Sequence, residues 1–377
     1  MLNINTFACT GCSACYAVCP TRAIRMRPDG EGFLHPTIDE AACILCGACE
    51  RTCPALSKER KGILPAAEPL FVAAARACGE GAREGSQSGG AFFALAKAML
   101  AEGGVVYGAR MDEDKTVRHA RVDGQAALDP LRGSKYVQSD MGDCFLHVKQ
   151  DLAAGHRVLF SGTPCQVAGL YAFLGREYEN LLTAALICHG VPSPRLWADY
   201  LAWQEKRHKK PVTRAEFRDL SASWGVSREA LWLGDKKVTD TVYAALYYSC
   251  LALREACYTC PFGKEFAVAD LTLGDFWGVE HTPYAAPDDK KGVSAVLAHT
   301  EKGREALLAA DLSLCPATLA EVKEKNPNLT APTARPQGRE AFWAAYTRGF
   351  GSLPRRFGGF TPKNRLKRLV KRLLGRD

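Results

Sequence analysis

Hydrophobic and polar positions change character three times along the chain. From residue 70 onward, short apolar runs alternate with amphipathic stretches. Leu70–Ala75 reads as a strand, and Ser86-Gln87-Ser88-Gly89-Gly90 leads into a helix over 91–101. Val105–Gly108 is the next strand. Arg157–Ser161 is another, running through Gly162-Thr163-Pro164-Cys165 into a second helix. Leu181–Ile187 is a buried strand that ends in Cys188-His189-Gly190. Strands alternating with helices predict an α/β domain with a mixed sheet, here over 70–340. Residues 1–56 follow no such rhythm. Their clearest local signal is Pro28-Asp29-Gly30 between two short apolar stretches, a hairpin turn. Residues 57–69 are polar and carry Pro65 and Pro69, which marks a linker. Near the end, Leu366, Leu369, Val370, Leu373 and Leu374 fall on one helical stripe, with a cationic face opposite. The expected class is α+β: a small N-terminal domain, a larger α/β domain, and a basic amphipathic C-terminal helix over 355–377.

Composition narrows the function classes. Hydrophobic residues make up 47% and charged residues 24%, which is ordinary for a globular protein. No apolar run is long enough to cross a membrane. The first residues lack the basic and apolar regions of a signal peptide, so a cytoplasmic location is expected. Sixteen cysteines in such a chain then point to metal or redox use rather than disulfides. The net charge is +8, but residues 355–377 hold nine basic side chains against Asp377 alone. The rest of the chain is therefore neutral, with no basic face for nucleic acid. The tail itself suits either an anionic membrane surface, at the inner face of the membrane, or docking on its own domain or a partner.

Cysteine spacing carries the strongest chemistry. Cys9, Cys12, Cys15 and Cys19-Pro20 form one run; Cys43, Cys46, Cys49 and Cys53-Pro54 repeat it 34 residues later. Three thiolates spaced by two residues wrap one cubane, and the fourth, before proline, is carried to the other. Two [4Fe–4S] clusters follow: Cys9, Cys12, Cys15 and Cys53 hold one, and Cys43, Cys46, Cys49 and Cys19 hold the other. Zinc sites instead use four ligands in two pairs. Residues 1–56 resemble the two-cluster bacterial ferredoxins throughout.

Five further motifs occur in order: Gly-Ser-Lys-Tyr-Val-Gln-Ser (133–139), Gly-Thr-Pro-Cys-Gln-Val-Ala-Gly-Leu (162–170), Cys-His-Gly-Val-Pro-Ser (188–193), Cys-Tyr-Thr-Cys-Pro-Phe (257–262) and Ala-Asp-Leu-Thr-Leu-Gly-Asp-Phe-Trp-Gly (269–278). With the ferredoxin head, they resemble the beta subunit family of coenzyme F420 hydrogenases and dehydrogenases. That resemblance implies an iron–sulfur flavoprotein that binds FAD in the larger domain. A flavin is also the chemical link expected between one-electron clusters and a two-electron substrate. Carried onto these motifs, Ser86, Ser88, Gly89 and Gly90 would meet the cofactor phosphates at a helix N-terminus. The competing reading of that loop is a simple helix cap. Ser134, Lys135 and Ser139 would line the flavin, with Lys135 holding negative charge near it or else solvated. Asp275 would lie near the ring. His189 would donate a proton there or simply pack.

Cys165, Cys188, Cys257 and Cys260 could together ligate a third [4Fe–4S] cluster. Zinc, a redox-active Cys165 and packed thiols are the competing readings. The expected activity is an FAD-dependent iron–sulfur oxidoreductase acting on a two-electron small molecule, coenzyme F420 by resemblance. A redox protein or ferredoxin is the expected partner. The alternative is a non-catalytic electron-transfer subunit that wires a partner enzyme.

Overall fold

The computed structural model describes residues 8–56, 68–219, 221–262, 268–282, 284 and 291–358. The expected linker (57–69) falls mostly on 57–67 and the expected tail (355–377) mostly on 359–377, both outside the described residues.

The head is built from two copies of one small unit. Helix α1 (Ala14–Val18) and helix α2 (Ala48–Thr52) each follow a residue in the left-handed region, Ser13 at φ 66° and Gly47 at φ 68°. Between them, strands β1 (Ile24–Pro28) and β2 (Leu34–Ile38) pair antiparallel, from Ile24 opposite Ile38 to Pro28 opposite Leu34. Asp29 closes the turn: its carboxylate accepts from the amides of Glu31 and Phe33, both at 2.9 Å.

The body centres on an eight-stranded mixed sheet. Its strands are β3 (Phe71–Ala77), β4 (Val105–Met111), β5 (Val117–Val122), β6 (Val158–Gly162), β7 (Leu181–Leu186), and, after a smaller sheet, β11 (Leu271–Asp275), β12 (Ser294–Ala298) and β13 (Leu312–Pro316). The order is β13-β3-β12-β11-β7-β6-β4-β5. The four strands β11, β7, β6 and β4 run parallel, and antiparallel strands flank them on both sides. Parallel strands are covered on both faces, hence the unbroken apolar runs Val158-Leu159-Phe160 and Leu181-Leu182. Helix α3 (Ala91–Ala101) seals one face through Leu95 and Met99. Helices α4 (Cys144–Ala153) and α5 (Pro164–Leu174) seal the other through Phe145 and Leu170. A smaller antiparallel sheet of β8 (Val212–Glu216), β9 (Glu229–Leu233) and β10 (Lys236–Asp240) packs with helix α6 (Pro194–His208) and helix α7 (Val242–Tyr248).

Head and body are firmly joined. Helix α1 lies on α5, where a Cβ on Gly169 would come within 2.8 Å of the Cys12 Cβ. Only glycine permits that approach. The carboxylate of Asp143 accepts from Tyr16 Oη at 3.0 Å and from Arg22 Nη1 at 3.1 Å. On the hairpin side, Arg195 donates to the Gly30 carbonyl at 2.9 Å, and Arg339 grips the Glu31 carboxylate with both Nη atoms.

Among the described residues, no helix is long and apolar enough to cross a membrane.

Candidate functional site

The parallel strands decide where the chemistry gathers. Ligands of open α/β sheets bind beyond the C-terminal ends of parallel strands. Here those ends deliver Cys165 just after β6, Cys188 just after β7, and Asp275 as the last residue of β11. Cys165 sits in the first turn of α5, opened by Pro164 and a capping box between Thr163 and Gln166. Thr163 Oγ1 stands 3.2 Å from the Cys165 sulfur. Cys257 and Cys260 come from a single tight turn, Glu255–Thr259 and the residue after it. That turn is clamped to the loop after β7: Pro192 pairs with Leu253, and the Arg254 amide donates to the Val191 carbonyl at 3.0 Å. Gly190 (φ +110°) makes the contact fit, since a Cβ there would reach 2.8 Å from Leu253 Cδ1.

The four body thiols are thereby brought together. Burial raises the Cys188 thiol well above its ordinary pKa, and Cys257, Cys165 and Cys260 add to the rise. Burial likewise pushes Cys257 up to about 12, with Cys165 and Cys260 among its neighbours.

The head places Cys9, Cys12, Cys15 and Cys53 around one cavity, walled by Gly11, Ala14, Met26, Pro36 and Pro54. Burial pushes Cys15 up to about 12, and the neighbouring thiols Cys9 and Cys53 add to the rise. An all-thiol donor set with small residues between ligands fits a cubane. Among the described residues, no group of three or more His, Cys, Asp or Glu side chains is arranged to hold a metal ion. A cubane makes no such demand, because each thiolate binds its own iron. The other head set lies outermost: Cys46 is exposed, and Cys19, Cys43 and Cys49 are half-buried. Burial would raise Cys19, yet the Thr21 hydroxyl and the amides of Ala23 and Ile24 outweigh it and lower the thiol.

Cys12 belongs to the head set yet also feels Cys165 of the body, so the two sets adjoin. On the far side, Cys188 neighbours the buried Tyr247. Tyr247 stacks on Tyr136 at 4.6 Å and 13°. Burial raises Tyr136, while the cation of Arg218 opposes the rise and Asp275 adds to it.

Arg218 borders an open cleft, with Asp275 behind it. Arg83, Glu84, Gln87, Arg218, Asp219 and Lys291 line the cleft together with Ser86 and Trp224, and Lys291 is paired with Glu84. Arg218 Nη1 donates to Asp275 Oδ2 at 3.0 Å, and Trp224 Nε1 donates to Asp275 Oδ1 at 3.0 Å. Trp224 lies flat on Trp277 at 4.5 Å and 9°. The cleft thus offers cations, carboxylates and a hydroxyl beside an indole face, a mixed polar lining that can take hydrogen bonds from either sign of ligand group.

The remaining expected flavin residues divide. Ser86 lines the cleft, whereas the Ser88 hydroxyl donates to the Val293 carbonyl at 3.0 Å. Gly89 lets the loop press on the sheet, since a Cβ there would stand 2.1 Å from the Ala75 carbonyl oxygen. Gly90 (φ +83°) turns the chain into α3. The Ser134 amide donates to Gln87 Oε1 at 2.7 Å, on the cleft side. The Lys135 ammonium donates to the carbonyls of Pro130 and Arg132 at 3.0 and 2.7 Å, and burial pulls its pKa down to about 7. Ser139 is tied inward, 2.9 Å from His119 Nδ1 and accepting from Gln166 Nε2 at 2.9 Å. His189 stands at the aromatic stack, edge-on to Tyr247 at 5.5 Å. Its Nε2 is 3.2 Å from the Cys250 sulfur, and its Nδ1 is 3.2 Å from Asn328 Oδ1. Burial lowers its pKa, so the ring is neutral at pH 7.

Sequence reasoning missed Arg218, Trp224, Gln138, Cys250 and Arg254. Only Arg254 left a readable trace, standing three residues before Cys257 as the other ligand-type cysteines stand from one another.

Comparison with known proteins agrees with this architecture. Residues 155–317 match the C terminus of the coenzyme F420 hydrogenase/dehydrogenase beta subunit, and residues 8–56 match the 4Fe–4S dicluster domain. An iron–sulfur electron-transfer protein is thus defined. Residues 155–317 carry the C-terminal domain of the coenzyme F420 hydrogenase/dehydrogenase beta subunit, behind a dicluster head. No curated protein matches the chain. Among solved structures it is similar to a chain of the F420-reducing [NiFe] hydrogenase complex from Methanosarcina barkeri. That likeness has 17% identity and a TM-score of 0.47, over 76% of this chain and 96% of that one.

Proposed function

We propose that the protein is an FAD-dependent iron–sulfur oxidoreductase. It passes electrons between three [4Fe–4S] clusters and a two-electron substrate, for which the family points to coenzyme F420. One observation carries this reading. The four body thiols adjoin the inner head set through Cys12 and Cys165, and adjoin the cleft through Tyr247 and Tyr136. A bound flavin supplies the exchange between one-electron and two-electron chemistry. The chain's own residues then have distinct tasks. Arg83, Arg218 and Lys291 offer positive charge to a diphosphate, and Ser86 offers a hydroxyl. Trp224 on Trp277 offers a flat face. Lys135, held between two carbonyls, supplies the tunable charge behind Ser134. His189 is a neutral donor or acceptor at the end of the aromatic stack.

A second reading rests on the exposure of Cys46, which opens the outer set to a partner protein. On that reading the chain is a non-catalytic electron-transfer subunit.

Iron, sulfide and flavin per chain, measured on anaerobically purified protein, decide between them. The first reading expects about twelve irons and about one FAD. Replacing Cys257 and Cys260 by serine should remove about four of those irons and leave the head signals in place. About eight irons and no flavin, even after reconstitution, would leave the electron-transfer subunit.

A further inference from the structure

Among the described residues, Arg254 is the largest of the fully buried side chains, only 2% exposed. Its guanidinium spans the seam between head and body. Nε donates to the Cys9 carbonyl at 2.6 Å, Nη2 to the Leu34 carbonyl at 3.0 Å, and Nη1 to Gln138 Oε1 at 3.0 Å. Nη2 also lies 3.1 Å from His35 Nε2. Burial, and then Arg254 itself, lower the His35 pKa to about 4, so that ring is neutral. Every direct partner of the guanidinium is therefore uncharged. The Asp29 carboxylate meets the same His35 Nε2, also at 3.1 Å.

A buried cation is costly unless opposite charge stands near. Cluster ligands flank it on both sides of the seam. The Arg254 carbonyl accepts from the Cys257 amide at 2.9 Å, which ties the residue to the first ligand of the body turn. Its Nε contact is the backbone of Cys9, a ligand of the inner head set. A cluster gains one negative charge on reduction, and net charge and hydrogen bonding around it set its potential.

We propose that Arg254 is the shared counter-charge of the inner head cluster and the body cluster, raising both reduction potentials relative to the outer cluster. This rests on the three-cluster reading above for the body cluster, and on the dicluster head alone for the inner one. Among the described residues, the outer set, Cys43, Cys46, Cys49 and Cys19, has no buried equivalent: Arg51 donates to the Cys46 carbonyl at 3.0 Å, but from an exposed position where solvent screens its charge. At the position matching Gly11, against which Arg254 packs, the second half carries Leu45 facing solvent.

The test is an EPR-monitored redox titration of the full-length, cluster-loaded protein. Arg254→Gln should shift the inner and body potentials downward and leave the outer one in place. Arg254→Lys, which keeps the charge, should recover most of that shift. Gln138→Glu sets an anion beside the guanidinium without emptying the seam, and should shift the same two potentials the same way. It keeps the test open if Arg254→Gln does not fold. Unchanged inner potentials in the Gln and Glu variants would overturn the proposal. So would a fall in Arg254→Lys as deep as in Arg254→Gln, or an equal fall of all three clusters. Iron content separates the two levels. About eight irons in the wild-type chain would remove the body cluster, and the inner head potential would still decide the role of Arg254.

Discussion

The two halves of the head share a backbone and differ in everything around it. Gly11 and Leu45 occupy matching positions, and both are left-handed, at φ 68° and 55°. Cys19 and Cys53 leave their helices at ψ 113° in both halves. Yet Cys9 and Cys12 are only 5% and 8% exposed, whereas Cys46 is exposed. The pair between the first two ligands is Thr10-Gly11 in the buried half and Ile44-Leu45 in the exposed half, where the side chains are 63% and 67% exposed. Hydrophobicity alone would place these pairs the other way round. The buried half needs a residue without a side chain and a carbonyl to receive the Gln138 amide at 3.1 Å from Thr10. Polar ties between head and body, not apolar burial, choose which half faces inward.

Exchanging the matched residues tests that difference most sharply. Gly11→Leu forces a Cβ to within 2.6 Å of Gln138 Nε2 and 2.8 Å of Arg254 Nη1. Overpacking and left-handed strain together should cost about 2–4 kcal/mol, read as a lower denaturant midpoint. Leu45→Gly should change stability by less than about 1 kcal/mol, because relieved strain and added chain freedom oppose each other. Equal losses in the two variants would break the comparison. Glu31→Gln comes next. It removes one carboxylate from Arg339, which keeps Glu255 at 3.2 Å. A loss of about 1–2 kcal/mol is expected for this half-buried pair, with iron content unchanged. Smaller still, Ile44→Thr should alter the urea midpoint by no more than about 0.5 kcal/mol. Loss of the outer cluster in that variant would show that Ile44 belongs to the fold rather than to the surface. Removing residues 363–377 should have the least effect, with cluster content and flavin retained. If the clusters were stripped, the tail would be part of the body.

Legibility in the sequence followed the range of the interactions involved. The head was readable because ligand spacing is local geometry. Likewise, the helix over 91–101 begins after Gly90 and ends where its apolar stripe ends. The strands at 105, 158 and 181 announced themselves through continuous apolar runs. Their order did not. Nothing local says that β11 slots beside β7, with Leu271 opposite Ala184, or that β3 lies between β12 and β13. The small sheet over 212–240 was invisible for the same reason, since Thr213, Arg214 and Glu216 are polar and its strands are short. Spacing and motif order grouped Cys165, Cys188, Cys257 and Cys260, and the folded chain does bring them together. Arg218, Trp224 and Arg254 act through partners far away in sequence, which no periodicity encodes.

The closeness of Cys12 to Gly169 also bears on how the protein comes together. Cys9 and Cys12 are buried between head and α5, and Arg254 and Gln138 bridge the seam, so two of the inner ligands are covered once the head has docked while Cys46 stays exposed. Metal binding that brings scattered ligands together is coupled to folding, and on the inner side that folding includes the docking of head on body.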